Sequence, residues 1–230
     1  MPIALDDEAT WPSTVLRLLD ASVARLPTAE AEVVTEIDNL IREDEIFGYH
    51  CTRLARDEIE LIKMEGLCPL TPELRNSRVE RRVGAGDFSR EIADRFLDFG
   101  LSGDGRHRLG YSCFYFTKAL GDWCWKFFRY WGGESIYGSH MNADSEERRA
   151  LRSTGIPCII ELAVPIVATK GQAIARGFLY EYSRRRGIKI QESGYDTAAI
   201  SLQVLRVIEY DSPDFQDLTR NISWPWPIHP

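Results

Sequence analysis

Long apolar segments are missing from this chain of 230 residues. A membrane-spanning helix needs roughly 20 consecutive, predominantly apolar residues, and no segment of the chain approaches that length. The N-terminal sequence MPIALDDEAT is acidic and lacks the apolar core of a secretory leader. These two absences predict a cytoplasmic protein with neither a signal peptide nor a transmembrane segment.

A disulfide framework is also missing, because the five cysteines include no CxxC pair: Cys51, Cys68, Cys113, Cys124 and Cys158. An odd number of cysteines, mostly within apolar segments, is typical of reduced thiols. Three of the four histidines have no partner at the spacing of metal ligands: His107, His140 and His229. We therefore predict neither structural disulfides nor a metal site.

An excess of basic residues is missing as well, since 28 Lys and Arg stand against 35 Asp and Glu and the net charge is −7. Binding of nucleic acid through overall surface charge needs the opposite balance. A local basic patch stays compatible with this composition. Four arginines share one predicted helical face, which is either a solvated surface or a contact with phosphate: Arg75, Arg78, Arg81 and Arg82.

The hydrophobic pattern divides the chain into three parts. Residues 1–45 have the spacing of two amphipathic helices separated by Pro27, which predicts an N-terminal helical hairpin whose second helix is capped by Thr28. This hairpin either packs on the main domain or binds a partner or a second copy of the chain. Residues 46–212 are the predicted main domain. Residues 213–230 end in the proline-rich sequence ISWPWPIHP and are predicted to be an extended tail.

The main domain alternates between short strands and helices, which predicts an α+β fold with about six strands and five or six helices. The predicted strands lie at 46–52, 111–117 and 157–166, with three more within 188–211. The predicted helices lie at 57–66, 72–99, 119–131 and 173–186.

Two strand motifs combine aromatic and polar side chains. The first is YHCT at residues 49–52, which is followed by an amphipathic helix and by Gly66. The second is FYFT at residues 114–117. Because successive residues of a strand face opposite sides of the sheet, Tyr115 must point away from the phenylalanines on either side of it.

The order of these motifs resembles the ADP-ribosyltransferase superfamily, in the branch with a His, a Tyr and a Glu or Asp that includes diphtheria toxin and the poly(ADP-ribose) polymerases. YHCTRLARDEIELIKMEGL is similar to the family's first strand and helix, and FYFTKAL is similar to its second motif. Cys51 stands where glycine is common in the family. The resemblance spans residues 46–210, points to a distinct bacterial subfamily, and implies split antiparallel β-sheets flanked by helices.

An NAD-dependent ADP-ribosyltransferase is the activity that this resemblance implies, with NAD as the substrate. Such a glycosyltransferase cleaves the bond between nicotinamide and ribose and transfers ADP-ribose to a macromolecular acceptor, here an unknown protein or nucleic acid. Cleavage passes through an oxocarbenium-like state whose positive charge a carboxylate stabilises. The same resemblance implies a toxin-like or effector-like protein.

The two motifs supply five candidate site residues by the same resemblance. His50 and Thr52 are expected to hold NAD, and Tyr49 is expected to line the same pocket. Tyr115 is expected to stack on nicotinamide, with Thr117 as a further NAD-binding residue. An imidazole can hydrogen-bond a ribose hydroxyl and a phenol ring offers a flat stacking surface, so His50 and Tyr115 join the predicted catalytic set.

The catalytic carboxylate has three candidates. Glu192 lies just before the penultimate predicted strand, where the resemblance implies the acid. Asp196 lies four residues later and fits the spacing to the last strand about as well. Glu134 follows two glycines but stands only 19 residues after Tyr115, which is early for the family's acid. We rank Glu192 first, Asp196 second and Glu134 third.

Other functions stay open at the level of sequence. An NAD glycohydrolase would transfer ADP-ribose to water, and a catalytically inactive module of the same fold would bind NAD, ADP-ribose or a partner. His50 and Tyr115 could also have purely structural roles. A thiol enzyme that uses Cys51 beside His50 is disfavoured, because adjacent strand residues point to opposite faces.

Overall fold

The computed structural model describes residues 1–23, 26–99, 109–110, 112–118, 120–137, 145–169, 172–188 and 195–225. For residues 26, 27, 99, 123, 134 and 137 it describes the backbone alone. Within these limits the chain is an α+β protein in which helices surround a five-stranded antiparallel sheet. None of the helices described is both long and apolar enough to span a lipid bilayer.

The secondary structure follows the chain in this way. The strands are β1 (Glu45–Leu54), β2 (Ser112–Tyr115), β3 (Ile156–Pro165), β4 (Tyr195–Ala198) and β5 (Gln203–Glu209). The helices are α1 (Ser13–Ser22), α2 (Leu26–Ile41), α3 (Arg56–Glu65), α4 (Pro72–Gly84), α5 (Arg90–Phe99), α6 (Trp125–Arg129), α7 (Glu134–Tyr137), α8 (Glu146–Ser153), α9 (Ala173–Arg185) and α10 (Pro213–Thr219).

The central strand, β1, is joined very differently to its two neighbours in the order β4-β2-β1-β3-β5. On one side it pairs with β3 along its full length of 10 residues. On the other side it pairs with β2 at one position, where Tyr49 lies opposite Tyr115. Beyond this pair the described parts of β1 and β2 form no further ladder pairs.

Apolar side chains cover both faces of the sheet. On β3 the apolar sequence PCIIELAVPI sends Ile160 and Leu162 to one cluster and Ile159 to the other, and all three are fully buried. The first cluster also contains Phe114 and Phe116 of the second motif. This burial on both faces is what a continuous apolar strand predicts.

The N-terminal helices pack on the main domain, which is one of the alternatives that the sequence left open for the predicted hairpin. Their apolar residues are fully buried in the cluster that contains Phe114: Val15, Leu19, Val33, Val34, Ile37 and Ile41. Ile3, ahead of α1, forms a parallel bridge with Ile46 at the start of β1. The predicted helix pair is present, and α2 has a kink at Ala29, directly after Thr28, where the backbone is not helical.

The prediction of an extended tail from residue 213 is wrong, because residues 213–219 form α10. The Ser212 hydroxyl caps this helix by accepting a hydrogen bond from the backbone N–H of Phe215 at 3.2 Å, and Pro213 occupies its first turn. Phe215 packs edge-on against Phe128 with ring centroids 5.1 Å apart. The chain after residue 212 therefore contributes to the core.

Several other predicted elements are confirmed, and some are shorter than expected. The predicted helices at 57–66, 72–99 and 173–186 correspond to α3, to α4 with α5, and to α9. The predicted aromatic helix at 119–131 is reduced to α6 and a 3-10 turn at Asp122–Cys124. Most of the strand expected at 188–192 lies outside the described residues.

Gly155, in the turn before β3, gives a test of how β1 and β3 fit together. Its φ is +69°, and a Cβ there would stand 2.4 Å from the Leu54 carbonyl oxygen. We expect Gly155→Ala to lower the free energy of unfolding by about 2–4 kcal/mol, because a backbone clash adds to left-handed strain.

Gly187→Ala is the matched control, since Gly187 has a φ of +72° with open space around it. Strain alone predicts a loss of about 1 kcal/mol there. Urea unfolding followed by circular dichroism measures both variants. Equal losses would show that the contact with Leu54 has no part in the effect.

Candidate functional site

A cavity of about 910 Å³ is lined by residues of β1, β2, α3 and α4. Cavities of roughly 300–1,000 Å³ hold small ligands in other proteins. Four of the five residues expected from the two motifs line it: His50, Thr52, Tyr115 and Thr117. The fifth, Tyr49, is 1% exposed and lies in the apolar core, outside the cavity lining.

The side chain of His50 on β1 contacts the backbone of β2. Its Nδ1 lies 2.6 Å from the carbonyl oxygen of Cys113 on β2. A carbonyl oxygen only accepts hydrogen bonds, so Nδ1 must hold the proton and donate. Burial lowers the pKa of His50; the Cys113 contact opposes this shift and the positive charge of Arg78 adds to it. The ring is therefore neutral at pH 7, and Nε2 keeps a lone pair that can accept a hydrogen bond.

Three tyrosines form a row across the sheet on one face. Tyr115 lies opposite Tyr49 on one side and opposite Tyr195 on the other. The Tyr115 and Tyr195 rings are 6.4 Å apart in an edge-to-face arrangement, and both line the cavity. Burial raises the pKa of Tyr115, so its hydroxyl stays protonated. Tyr115 faces away from Phe114, as strand alternation predicts.

Tyr195 was missed by the sequence analysis. It is 60% exposed and lies at the start of β4. Nothing in the local sequence GYDTA shows that this residue meets Tyr115, because the pairing of β4 with β2 joins segments about 80 residues apart in the chain. The signal available in the sequence was that Tyr195 is an aromatic residue within the segment 188–211, where three strands are predicted.

The three predicted acids are placed differently relative to the cavity. Asp196 is 5% exposed, lies opposite Phe114, and is not part of the cavity lining. Its Oδ1 accepts a hydrogen bond from the backbone N–H of Thr197 at 2.7 Å. Glu192 lies outside the described residues. Glu134 is the first residue of α7, and its neighbours Gly133 and Ser135 both line the cavity. The structure describes only the backbone of Glu134.

A buried carboxylate that the sequence analysis missed, Glu58, forms part of the cavity wall. It is 2% exposed. Its Oε1 accepts from Arg78 Nε at 2.7 Å, and its Oε2 accepts from Trp131 Nε1 at 2.7 Å and from the Ala55 backbone N–H at 2.8 Å. Burial alone raises the pKa of Glu58, but the charge of Arg78 and these hydrogen bonds outweigh it and lower the pKa.

The position of Glu58 in α3 explains this arrangement. Ala55 precedes the helix, and Glu58 at the third helical position bonds back to its N–H, as the acidic residue of a capping box does. The same carboxylate holds Arg78 of α4 and Trp131 after α6. One residue thus fixes three segments around the cavity. A glutamate at the second position of the predicted helix 57–66, three residues after Ala55, was the signal available in the sequence.

The four arginines noted in the sequence divide into two pairs. Arg75 and Arg82 are buried away from the cavity: Arg75 donates to the Phe96 carbonyl, and Arg82 pairs with Asp57 and Asp87. Arg78 and Arg81 line the cavity instead. All four lie on α4 at the predicted spacing, but the burial of Arg75 and Arg82 excludes a face that is solvated throughout.

Cys51 also lines the cavity, but burial and a contact with Cys124 raise the pKa of its thiol. A neutral thiol is a weak nucleophile, which gives the thiol-enzyme hypothesis no support. All five cysteines are free. In the described part of the chain no three His, Cys, Asp or Glu side chains are grouped as a metal site would require.

Glu58→Gln tests the ion pair beneath the cavity. Breaking a buried pair leaves Arg78 without its countercharge, so we expect the free energy of unfolding to fall by about 2–4 kcal/mol. Glu60→Gln on the same helix is the control, because Glu60 is exposed and its pair with Lys63 contributes about 0.5 kcal/mol or less. Chemical unfolding at pH 7 compares the variants.

The difference in free energy of unfolding between wild type and Glu58→Gln should change with pH in a defined direction. The pKa of Glu58 is lowered in the folded state from its ordinary 4.5. Its stabilising contribution is therefore complete above pH 4.5 and is lost as the pH falls through the folded-state pKa. The stability gap between wild type and Glu58→Gln should narrow below pH 4.5. A gap that stays constant down to pH 3 would contradict this role.

Comparison with known proteins does not assign the chain to a family. A scan against models of protein families, a search of curated proteins and a search of solved structures each find no match to the chain.

Proposed function

We propose that this protein is an NAD-dependent ADP-ribosyltransferase whose active site is the cavity between β1 and β2. The proposal rests on one observation: His50 and Tyr115, which stand 65 residues apart in the chain, line the same cavity. The two motifs that resemble the superfamily thus meet at one place. The two motif strands are also neighbours in the antiparallel sheet, where Tyr49 lies opposite Tyr115, which supports the same assignment.

In this proposal the ribose next to nicotinamide binds at His50. The neutral imidazole holds its proton on Nδ1, against the Cys113 carbonyl, and offers Nε2 as an acceptor to a ribose hydroxyl. The contact with Cys113 fixes the ring, so the acceptor is oriented before the substrate binds. Thr52, two residues further along β1, offers a hydroxyl to the same cavity.

Nicotinamide binds at Tyr115 in this proposal. The phenol is neutral and offers an apolar ring face for stacking, and Tyr195 extends the aromatic surface toward solvent. Release of nicotinamide leaves positive charge on the ribose, which a carboxylate has to stabilise. Glu58 is a poor choice for that role, because Arg78, Trp131 and Ala55 already hold its two oxygens.

The acid is therefore sought among the sequence candidates. Asp196 is buried opposite Phe114 and is not part of the cavity lining, and this placement argues against it. Glu192 keeps the position implied by the resemblance. Glu134 gains support because Gly133 and Ser135, its direct neighbours, both line the cavity.

Nicotinamide release from NAD tests the proposal. We expect His50→Ala and Tyr115→Ala each to reduce the rate at least 100-fold, because each removes a group that positions the reacting ribose or its leaving group. Tyr115→Phe keeps the ring and should retain most of the activity. Chromatography of free nicotinamide measures the rate, and circular dichroism shows whether each variant is folded. Wild-type protein that neither binds NAD nor releases nicotinamide would overturn the proposal.

Adding cell lysate to the same assay separates the two activities that share this cleavage. Release that requires lysate indicates transfer to a macromolecular acceptor, and labelled NAD would then mark that acceptor. Release that proceeds equally well without lysate indicates an NAD glycohydrolase. NAD binding without any release indicates a binding module of the same fold.

Single changes of Glu192 and Glu134 to Gln identify the acid. We expect one of them to reduce nicotinamide release at least 100-fold while NAD affinity changes less than threefold, because the carboxylate acts on charge that develops in the transition state. Asp196→Asn is the control and should keep the wild-type rate if it folds. Full activity in both glutamate variants would exclude both residues as the acid.

A further inference from the structure

A second chemical feature of the cavity lies on α4. Leu74, Arg78 and Arg81 recur at helical spacing and line the wall together. The cavity therefore combines the aromatic pair Tyr115 and Tyr195 with two guanidinium groups one helical turn apart.

Arg78 is held in place before any ligand binds. Its Nε donates to Glu58, and its guanidinium carbon lies 5.0 Å from the centre of the Trp131 ring. Its side chain is only 16% exposed. Nη2 is buried and has no hydrogen-bond partner among the residues described.

Arg81 has even fewer partners. It forms no ion pair with any residue in the described part of the chain, and its buried Nε has no acceptor there. Buried donors without acceptors cost free energy, so native proteins satisfy nearly all of them with protein atoms, water or a ligand. The Nε atoms of Arg75 and Arg82, which do not line the cavity, also lack an acceptor among the residues described, so what distinguishes Arg81 is its place in the cavity wall without an internal ion pair.

The cations and carboxylates of the described cavity wall are equal in number, but they leave Arg81 without a direct partner. The wall contains three cations and three carboxylates: Arg78, Arg81, Lys126, Glu58, Glu65 and Asp122. Glu58 offsets Arg78, and an Asp122 oxygen accepts from the Ser223 backbone N–H at 2.6 Å. Glu65 is exposed at the end of α3. The charge of Arg81 therefore has no direct countercharge among the described lining residues.

We propose that Arg78 and Arg81 form a subsite for the diphosphate of a nucleotide ligand. Guanidinium groups bind phosphate oxygens through paired N–H donors, and two of them on one helix face can each hold one phosphoryl group. The inference rests on the proposed function in one respect, because it assigns this diphosphate to NAD.

ADP binding tests the subsite without any catalytic step. Isothermal titration calorimetry compares ADP with adenosine, which has the same base and ribose but no phosphate. We expect wild type to bind ADP at least tenfold more tightly than adenosine, and Arg81→Gln to lose at least tenfold in ADP affinity with adenosine binding unchanged. Arg78→Lys, which keeps a cation beside Glu58, should also weaken ADP binding.

Arg90→Gln is the matched control, because Arg90 on α5 is exposed, is paired with Glu80 and lies outside the cavity. It should bind ADP as wild type does. Equal affinities of wild type for ADP and adenosine, no ADP binding, or unchanged ADP affinity in Arg81→Gln would each overturn the subsite.

The subsite and the proposed function fail in different ways. ADP binding that depends on Arg81, in a protein that releases no nicotinamide, supports the subsite and overturns the transferase. Nicotinamide release with the same KM for NAD in Arg81→Gln as in wild type overturns the subsite and leaves the transferase standing.

Discussion

The candidate site depends on how little of the backbone of β1 pairs with that of β2. β1 and β2 are adjacent in the sheet, yet they pair only where Tyr49 lies opposite Tyr115. Paired strands lie about 4.7–4.9 Å apart, which leaves no space for a ligand between them. Beyond the tyrosine pair the imidazole of His50 reaches the Cys113 carbonyl, a contact from a side chain where a ladder would use backbone. The cavity is lined by residues of both strands next to this point and by α3 and α4.

Contacts from outside the sheet hold the cavity wall in place, and Glu58 makes three of them. A buried carboxylate is costly unless its oxygens are bonded, and each partner of Glu58 comes from a different segment. Arg78 brings α4, Trp131 brings the chain after α6, and Ala55 fixes the start of α3. The charge that stabilises the wall is therefore also the charge that orients a cavity arginine.

The sequence predicted those parts of the fold that follow from local pattern. β1, β3, α3 and α9 are marked by alternation, apolar runs and terminal glycines. α10 was not predicted, because the extended conformation expected of the proline-rich end was applied to the whole segment from residue 213; the start signal, Ser212 followed by Pro213, was overlooked. For the site, strand alternation gave the orientation of Tyr115, whereas its contact with Tyr195 depends on long-range strand pairing that no local pattern contains. The roles of Glu58 and Arg81 likewise depend on which helices pack together.

Under the proposed function, the diphosphate and the reacting ribose of the dinucleotide require opposite charges in the cavity wall. A diphosphate is stabilised by cations, whereas a ribose that develops positive charge is destabilised by them. Protonated His50 beside that ribose would oppose the reaction. Burial and the charge of Arg78 lower the pKa of His50 and keep it neutral. Arg78 therefore has two effects under the proposed function: it offers a donor to phosphate, and it keeps a second cation from forming where the ribose reacts.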